Sequence, residues 1–368
     1  MIAELKEYTI GSVCSRLSSG KGIPASQVFD SGAYPVYGGN GLRGFTDHSN
    51  FVGECAIIGR QGAFCGNVRY FSGEAYMTEH AVVMCANESH NTRYLAYLLS
   101  TMNLGRLSGQ SAQPGLSVKT LSRQTVKLPS KDSQDQIVSI LAALDSKIDA
   151  NNKINENLFH QLHLIYSQIF SASDMDETLG TVVRTTSGGT PSRKHDEYYL
   201  EGSICWVKSK ELLNNYIYDT EEHINNLAVE HSSAKLLPAH SVLVAMYGAT
   251  VGAFGIISKP MTCNQAVCAL LSNESYPYTY LYQLASESQQ RLIKLAVGSA
   301  QQNISQLLIK QLPVHSDVEV IRKFHSVAHP IHNEIEYLQA ENINLSVLRD
   351  TLLPKLMSGE LDVSDLDL

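Results

Sequence analysis

The chain has 368 residues, of which 43% are apolar and 17% charged, and its formal net charge is −8. This length predicts two domains of average size, or a duplicated unit, with an ordinary globular composition. No apolar run reaches the roughly 20 residues that span a membrane, and the acidic N-terminus does not resemble a signal peptide. Seven cysteines without a CxxC pair predict reduced thiols. We therefore expect a cytoplasmic protein with no membrane segment and no metal site.

Residues 1–130 are predicted to form a first globular domain of the α+β class. Short β-rich runs at 52–58, 68–71 and 81–85 are separated by Gly and Ser loops, and a helix is predicted near 92–102. This segment has a net charge of +3, so the overall acidity lies elsewhere in the chain.

Residues 131–172 are predicted to form a long helix with a net acidic charge. Its apolar residues recur with 4-3 spacing over about five heptads, which is the pattern of a coiled-coil seam. The seam positions are Ile137, Leu141, Leu144, Ile148, Asn151, Asn155, Leu158, Leu162, Ile165 and Ile169.

Residues 173–315 are predicted to form a second α+β domain, with strands at 204–207, 242–246 and 255–257 and a helix at 278–294. A second long helix is predicted at 316–358, followed by an acidic tail at 359–368. The seam of this helix contains Ile321, Phe324, Ala328, Ile331, Ile335, Leu338, Asn342, Leu345, Arg349 and Leu352.

Two long helices with apolar seams favour pairing with each other as an antiparallel coiled coil. The alternative is two core helices of a single domain, but such helices rarely exceed about 20 residues, whereas these run about 35–40 residues. The seams also contain Asn151, Asn155 and Asn342, and buried asparagines that meet can set the register of a coiled coil. We predict that Asn342 lies within one layer of Asn151 or Asn155; the alternative is that each faces solvent or a partner.

An internal repeat relates the two globular segments. Residues 10–13 (Ile-Gly-Ser-Val) match 179–182 (Leu-Gly-Thr-Val), residues 57–63 match 243–249, and residues 79–82 match 264–267. Each segment ends in Leu-Pro before its long helix. The matches are dispersed, with an insertion in the second copy, and predict two homologous units of globular domain plus helix.

Recognisable catalytic motifs are not found in the sequence. The run 39–44 (Gly-Asn-Gly-Leu-Arg-Gly) has the spacing of a dinucleotide loop, but a turn rather than a helix is predicted at 45–50. No Pro-Pro, HExxH or nucleophile-elbow motif occurs. We therefore expect no catalytic residue and no cofactor on this chain.

Polar residues capable of hydrogen bonding to DNA recur on loops at equivalent positions of both repeats. Arg and Lys can read guanine, Asn and Gln can read adenine, and Gly allows the backbone to approach phosphate. Any one of these residues taken alone could belong to an ordinary polar loop. The recurrence of such residues at equivalent positions of both repeats favours DNA binding. The candidate residues are Ser19, Lys21, Tyr37, Asn40, Arg43, Arg60, Gln61, Asn67, Arg69 and Gln113 in the first domain, and Ser187, Thr190, Ser192, Arg193, Lys194, Lys208, Lys210, Tyr247, Thr250, Asn264, Gln265, Gln301 and Asn303 in the second.

A specific combination of motifs occurs in residues 187–193 (Ser-Gly-Gly-Thr-Pro-Ser-Arg), in 204–209 (Ile-Cys-Trp-Val-Lys-Ser) and in 348–361, which contain Leu-Leu-Pro-Lys-Leu. In these motifs the sequence resembles the specificity subunits of type I restriction–modification systems, and the resemblance covers essentially the whole chain. Residues 136–155 resemble the central spacer helix of that family. Residues 18–21 read Ser-Ser-Gly-Lys instead of the full Ser-Gly-Gly-Thr-Pro loop, so the first domain departs from the family pattern at this loop.

The resemblance implies two target-recognition domains separated by two antiparallel spacer helices, each domain reading one half of a bipartite double-stranded DNA target. It also implies two methyltransferase subunits, which carry S-adenosylmethionine, and endonuclease/translocase subunits as partners. The alternatives are a DNA-binding enzyme with an unrecognised catalytic site and an interaction scaffold without DNA specificity.

Overall fold

The computed structural model describes residues 5–108, 115–171, 174–296 and 303–363. The chain divides into two compact units, one formed by residues 1–148 and 344–368 and the other by residues 149–343. Both unit boundaries fall inside long helices, namely α3 (Lys131–Phe170) and α8 (Val318–Ser358). Each unit therefore contains one globular α+β domain and one part of each long helix. In the part of the chain that is described, no helix has both the length and the apolar character to cross a membrane.

The first domain is built on a six-stranded sheet with the strand order β2-β7-β5-β6-β3-β4. Its pairs are antiparallel except for β3 with β6, and β1 pairs separately with β8. Two short helices are α1 (Thr92–Ser100) and α2 (Val118–Ser122). The strands are β1 (Lys6–Thr9), β2 (Cys14–Ser19), β3 (Tyr34–Gly38), β4 (Gly41–Thr46), β5 (Phe51–Gly59), β6 (Val68–Met77), β7 (Ala81–Ala86) and β8 (Thr125–Leu128).

Residues 39–44 form the tip of the β3–β4 hairpin and the start of β4, and no helix follows them. This confirms that they are not a dinucleotide loop. Phe45 and Thr46 were predicted to begin a turn, but they pair with Pro35 and Tyr34 and so complete β4. The pairing was not visible in the sequence because it joins residues across the hairpin.

In the β5–β6 hairpin Gly53 pairs with Gly73, and both have positive φ angles, 117° and 136°, which glycine adopts readily. Phe51 and Ala75, at the far end of this hairpin, join Ala81 and Val83 in a small core on one side of the sheet. A larger core on the other side contains α1 and the ends of the long helices, including Ile137 of α3 and Leu356 of α8.

The second domain has a five-stranded sheet, β10-β17-β14-β15-β12, and a three-stranded sheet, β13-β11-β16. Both sheets are mixed, because β11–β16 and β12–β15 are parallel while the other pairs in these sheets are antiparallel. The strands are β9 (Glu177–Thr178), β10 (Arg184–Ser187), β11 (Ile204–Val207), β12 (Tyr216–Ile217), β13 (His223–Ile224), β14 (Val242–Ala245), β15 (Phe254–Ile257), β16 (Thr262–Cys263), β17 (Val267–Leu271) and β18 (Pro313–Val314). The helices are α4 (Leu179–Val182), α5 (Asn226–His231), α6 (Tyr278–Leu295) and α7 (Gln306–Lys310).

Backbone hydrogen bonds confirm the internal repeat. The N–H of Leu116 donates to the carbonyl of Arg60 (2.8 Å), and at the matching position the N–H of Ile304 donates to the carbonyl of Met246 (2.9 Å). The aligned Gly62 and Gly248 both begin a 3₁₀ turn with φ near 73°. Outside the main sheets, β1 pairs with β8 and β9 pairs with β18, so each copy closes its own chain ends.

The predicted seams of both long helices are confirmed, since every seam position is buried or half-buried. In the second unit Asn151 bonds Asn342 (2.9 Å) while Phe170 packs on Phe324, so the helices run antiparallel. The register prediction for Asn342 is therefore confirmed. The helices also contribute to the cores of both units, and since the chain forms two units the alternative of two core helices of a single domain is wrong.

Candidate nucleic-acid interface

The Ser187–Gly188–Gly189 loop of the second domain threads between two other backbone segments. The N–H of Gly188 donates to the carbonyl of Val267 (3.1 Å), and that of Gly189 to Cys263 (2.9 Å). A Cβ atom on Gly188 would lie 2.2 Å from the carbonyl oxygen of Cys263, and one on Gly189 would lie 2.2 Å from Ser233. Only glycine fits this path, which explains the Gly-Gly pair in the motif.

The corresponding loop of the first domain has the same backbone arrangement despite its different sequence. The N–H of Gly20 donates to the carbonyl of Ala81 (3.1 Å), and that of Lys21 donates to Met77 (2.9 Å). A Cβ on Gly20 would lie 2.2 Å from the carbonyl oxygen of Met77. The departure from the Ser-Gly-Gly-Thr-Pro pattern therefore changes the side chains of this loop and keeps its backbone path.

Several first-domain candidates converge at the end of the sheet where β2 and β5 finish and β7 begins. The Arg60 guanidinium donates to the Ser19 hydroxyl (3.2 Å), and the Arg60 N–H donates to the carbonyl of His80 (3.0 Å). The Gln61 side chain contacts the His80 ring (3.1 Å). The loop after β2 and the loop after β5 thus form one surface.

The β3–β4 hairpin adds its tip to this surface. A Cβ on Gly39 would lie 2.8 Å from the carbonyl oxygen of His80, which places the neighbouring Asn40 beside the same loops. The side chain of Arg43 lies against Gly38, and the guanidinium of Arg69 lies against Gly41. Tyr37, also on β3, instead packs its ring on Phe71 at a centroid distance of 5.1 Å.

Asn67 occupies a separate part of the first domain. It follows the turn after β5 and lines a cavity together with Cys65, Ser100 and Asn103. Arg69 lines the same cavity and joins it to the hairpin tip.

Three cations of the first domain are available to an external anion. Lys21, Arg43 and Arg69 are exposed, and within residues 5–108 and the other described ranges none of them forms an ion pair. Positive charge that is not compensated within the chain is what binding to a phosphate backbone requires.

The cations of the second domain are arranged differently. Glu222 accepts hydrogen bonds from Arg193 and from Lys208 (2.5 Å to Lys208), and Glu221 pairs with Lys210 (2.6 Å). The bond from Lys208 lowers the pKa of Glu222 below its ordinary value, so this carboxylate is charged at neutral pH. The Arg193 guanidinium also lies over the ring of Tyr199, 4.2 Å from its centroid. Three of the four predicted cations are therefore held by acidic side chains of the same domain.

Sequence reasoning missed Glu221, Glu222 and Tyr199. Glu222 reaches Lys208 because Cys205 of β11 pairs with His223 of β13, which brings together residues 14 positions apart. No local spacing signals this contact. The sequence offered only a pair of adjacent glutamates, which precede β13 in the structure.

The remaining second-domain candidates mostly bond to other groups of the same domain. Thr190 donates to the Gln265 side chain, Asn264 accepts from the N–H of Ala266 (3.1 Å), and Thr250 donates to the carbonyl of Tyr247 (3.2 Å). The Thr190–Gln265 bond joins the Gly-Gly loop to the turn before β17.

The structure places the other candidates as follows. Tyr247 pairs with Asn303 through an isolated antiparallel bridge. Ser187 donates to Gln306 (3.1 Å), and Ser192 accepts from the N–H of Lys194 (3.3 Å). Gln113 and Gln301, both predicted to contact DNA, lie outside the described residues.

A duplicated α+β domain with a polar loop surface on each copy is the organisation expected of a protein that recognises two related elements. The family model for the type I restriction modification DNA specificity domain matches residues 3–160 and 175–315, one match per domain. The chain belongs to this family. Membership supports the DNA-recognition role expected from the sequence and does not favour the alternative of an enzyme with its own catalytic site.

Similar proteins agree with this assignment. The specificity subunit of the type I restriction enzyme EcoprrI of Escherichia coli is 36% identical over 156 residues, which cover 41% of this chain and 39% of that relative. The EcoR124I/EcoR124II specificity subunit of Escherichia coli is 23% identical over 287 residues, covering 71% of this chain and 70% of the relative. The solved S subunit of a type I restriction-modification system from M. genitalium shares the fold, with a TM-score of 0.63, 18% identity and 96% of each chain covered.

Proposed function

We propose that this chain is the subunit that recognises the DNA sequence in a type I restriction–modification enzyme, with each domain reading one half of a bipartite target. The observation that carries the proposal is the duplication of one loop surface. In each domain the Gly-containing loop donates its backbone N–H groups to the strand and turn that border the second loop, at Ala81 and Met77 in one copy and at Val267 and Cys263 in the other. Two equivalent surfaces in one chain suit two half-sites.

The two surfaces offer different chemistry to DNA. In the first domain, Lys21, Arg43 and Arg69 can bind phosphates or guanine edges directly, because no acidic side chain of the described chain pairs with them. In the second domain, Arg193 and Lys208 can reach DNA only by exchanging Glu222 for a phosphate or a base. We infer that the second surface discriminates more strongly, since only a well-placed partner compensates for the lost ion pairs.

The partners expected from the family are methyltransferase subunits that bind S-adenosylmethionine, and endonuclease/translocase subunits. Methylation of a base requires that the base leave the duplex and enter a pocket next to the cofactor. We assign that pocket to the methyltransferase partners and assign to this chain the positioning of the DNA.

A domain exchange tests the proposal. Residues 1–130 are replaced by the corresponding domain of another specificity subunit, the chain is expressed with its methyltransferase partner, and methylated sites are mapped by sequencing. We expect one half of the target to change and the other half to remain. The reciprocal exchange of residues 173–315 is the control and should change the opposite half. A change of both halves by either exchange would contradict independent reading by the two domains.

A further inference from the structure

We propose that Cys205, Asp219 and His223 form a binding site for a borderline-soft divalent cation of the Zn²⁺ type. The Cys205 Sγ, a carboxylate oxygen of Asp219 and a ring nitrogen of His223 all lie within 4.8 Å of one another. Asp219 Oδ1 is 2.7 Å from His223 Nε2 and 3.3 Å from Cys205 Sγ. Thiolate, imidazole and carboxylate are the three protein ligand types of Zn²⁺.

The backbone brings these donors together before any ion binds. Cys205 of β11 lies directly opposite His223 of β13 in an antiparallel pair, and Asp219 precedes His223 by four residues. Bonds of about 2.0–2.3 Å to a tetrahedral ion place its ligands roughly 3.3–3.8 Å apart. The Asp219–His223 distance of 2.7 Å is shorter than that range and the Asp219–Cys205 distance of 3.3 Å lies at its lower end, so side-chain rotations without a change of fold would open the group around an ion.

The charges of the group also fit a divalent ion. A Cys205 thiolate and an Asp219 carboxylate would balance two positive charges, and the imidazole would bind as a neutral ligand. Binding releases the thiol proton and requires the His223 ring to carry its proton on Nδ1, so that Nε2 can bind the metal. The soft sulfur favours Zn²⁺ over Mg²⁺ or Ca²⁺.

The proposed ligands differ in how deeply they are buried, and this difference determines whether the ion would be enclosed or open to solvent. The Cys205 side chain is buried, whereas the Asp219 side chain is 71% exposed, so the outer face of the ion would be open to water. Three protein ligands and one solvent position form an open site.

The location gives the ion a structural consequence. The segment 219–223 that supplies two ligands also contains Glu221 and Glu222, which hold Lys210, Lys208 and Arg193. An ion joining this segment to β11 would fix the position of both glutamates beside the candidate interface.

Metal binding is tested on the full chain after treatment with a chelator, using Co²⁺ as a spectroscopic probe and Zn²⁺ as a competitor. We expect one Co²⁺ per chain, with the near-ultraviolet charge-transfer absorption of a thiolate–Co²⁺ bond, and displacement of that absorption by Zn²⁺. Absence of a one-to-one absorption change would overturn the proposal.

Three variants assign the ligands. Cys205→Ser should abolish the charge-transfer band, and Asp219→Asn, at an exposed position that tolerates substitution, should weaken binding at least about tenfold. Asp47→Asn is the matched control, because Asp47 contacts His48 at 2.6 Å but belongs to no three-residue metal group in the described chain. If Asp219→Asn bound Co²⁺ as tightly as Asp47→Asn, the proposed ligand set would be refuted. This comparison does not depend on whether Cys205→Ser folds.

Discussion

Glu222 shows how one residue can control the charge available on a binding surface. It accepts from two cations predicted to contact DNA, and its side chain is only one-third exposed. Ion pairs with such partial shielding compete directly with phosphate for the same guanidinium and ammonium groups. The acidic residue, not the basic ones, therefore decides how much positive charge the second domain offers.

Replacing Glu222 with Gln should strengthen binding to DNA of unrelated sequence, because Arg193 and Lys208 lose their internal acceptor. The logarithm of the DNA association constant falls linearly with the logarithm of the salt concentration. The slope of this line should become steeper by up to about 2, since each newly neutralised phosphate contributes about 0.9. Fluorescence anisotropy of a labelled duplex at several salt concentrations measures both quantities. Glu197→Gln is the control, because Glu197 pairs with His195 and not with these cations. An unchanged slope would show that Glu222 does not restrain them.

His332 is a second residue whose environment has a measurable consequence. It is fully buried, its Nδ1 contacts the Tyr216 hydroxyl at 3.0 Å, and its Nε2 has no hydrogen-bond partner among the described residues. Burial, followed by the nearby His329, His240 and His325, lowers the pKa of His332 to about 3. The folded protein therefore keeps this ring neutral, while the unfolded chain takes up a proton below the ordinary pKa of 6.5.

Acidification should therefore destabilise the second domain through His332. Between pH 6.5 and 3 the unfolded state binds one more proton than the folded state, so stability falls as the pH falls, by about 1.4 kcal/mol per pH unit. Urea unfolding followed by the fluorescence of Trp206, the single tryptophan, reports this domain. From pH 7.5 to 5.5 the wild type should lose about 1.4 kcal/mol more than His332→Asn. The control His160→Asn, at an exposed position, should show the same pH dependence as the wild type. If the stability of the wild type and of both variants changed equally with pH, His332 would not be the group responsible.

At the scale of the elements, the paired helices depend on how their polar seam positions are satisfied. Asn151 donates to Asn342 (2.9 Å) and to Glu341 (2.6 Å), and Asn342 donates in turn to Asn152 (2.9 Å). Asn155, one turn further along, is also buried, but neither polar atom of its side chain has a partner in the described structure. Two neighbouring asparagines of one seam thus have opposite effects on stability. Asn151 fixes the register of the pair, whereas Asn155 loses its hydration without gaining a hydrogen bond in return.

Leucine at these two positions should have opposite effects. Asn155→Leu should raise the stability of the second unit by about 1–3 kcal/mol, because it removes two buried polar atoms that lack partners. Asn151→Leu should lower it by about 1 kcal/mol, since it leaves the Asn342 carbonyl without its donor. Each variant serves as the control for the other in denaturant unfolding monitored at Trp206. Stabilisation by both substitutions would show that the Asn151–Asn342 bond contributes nothing.

At the scale of the whole molecule, the chain is a duplication in which each long helix belongs to both units. The first unit takes Ile137 and Leu141 of α3 together with Leu356 of α8 into its core, and the second takes Leu162 of α3 and Phe324 of α8 into its own. The same helices are therefore core elements at their ends and a paired seam between those ends.

Adding one heptad to α3 and one to α8 beside the Asn151–Asn342 layer should lengthen both helices by about 10 Å while keeping the seam in phase. If these helices set the distance between half-sites, the unspecified gap in the DNA target should grow by about three base pairs, with the recognised bases unchanged. Mapping of methylated sites measures the gap directly. A heptad added to α3 alone is the control and should disturb helix pairing and methylation. If the double insertion left the gap unchanged, the helices would not set the distance between the half-sites.

The amino-acid sequence by itself determined the features that depend on local pattern. The seam positions followed from heptad spacing, and the duplication followed from aligned motifs such as residues 57–63 and 243–249. These features can be recognised in the sequence because periodicity and motif order depend on residues that are near one another along the chain. The departure at residues 18–21 was also visible, but its lack of effect on the backbone was not.

Only the tertiary structure decided which charges are free and which donors converge. Arg193 and Lys208 looked equivalent to Lys21 and Arg43, yet the β11–β13 pairing gives the first two an acceptor in Glu222. The same pairing sets Cys205 opposite His223, although the spacing of the cysteines along the chain gave no indication that such donors would meet. Such contacts join residues from separate strands whose register is set by the packing of the whole domain, so no spacing along the chain specifies them.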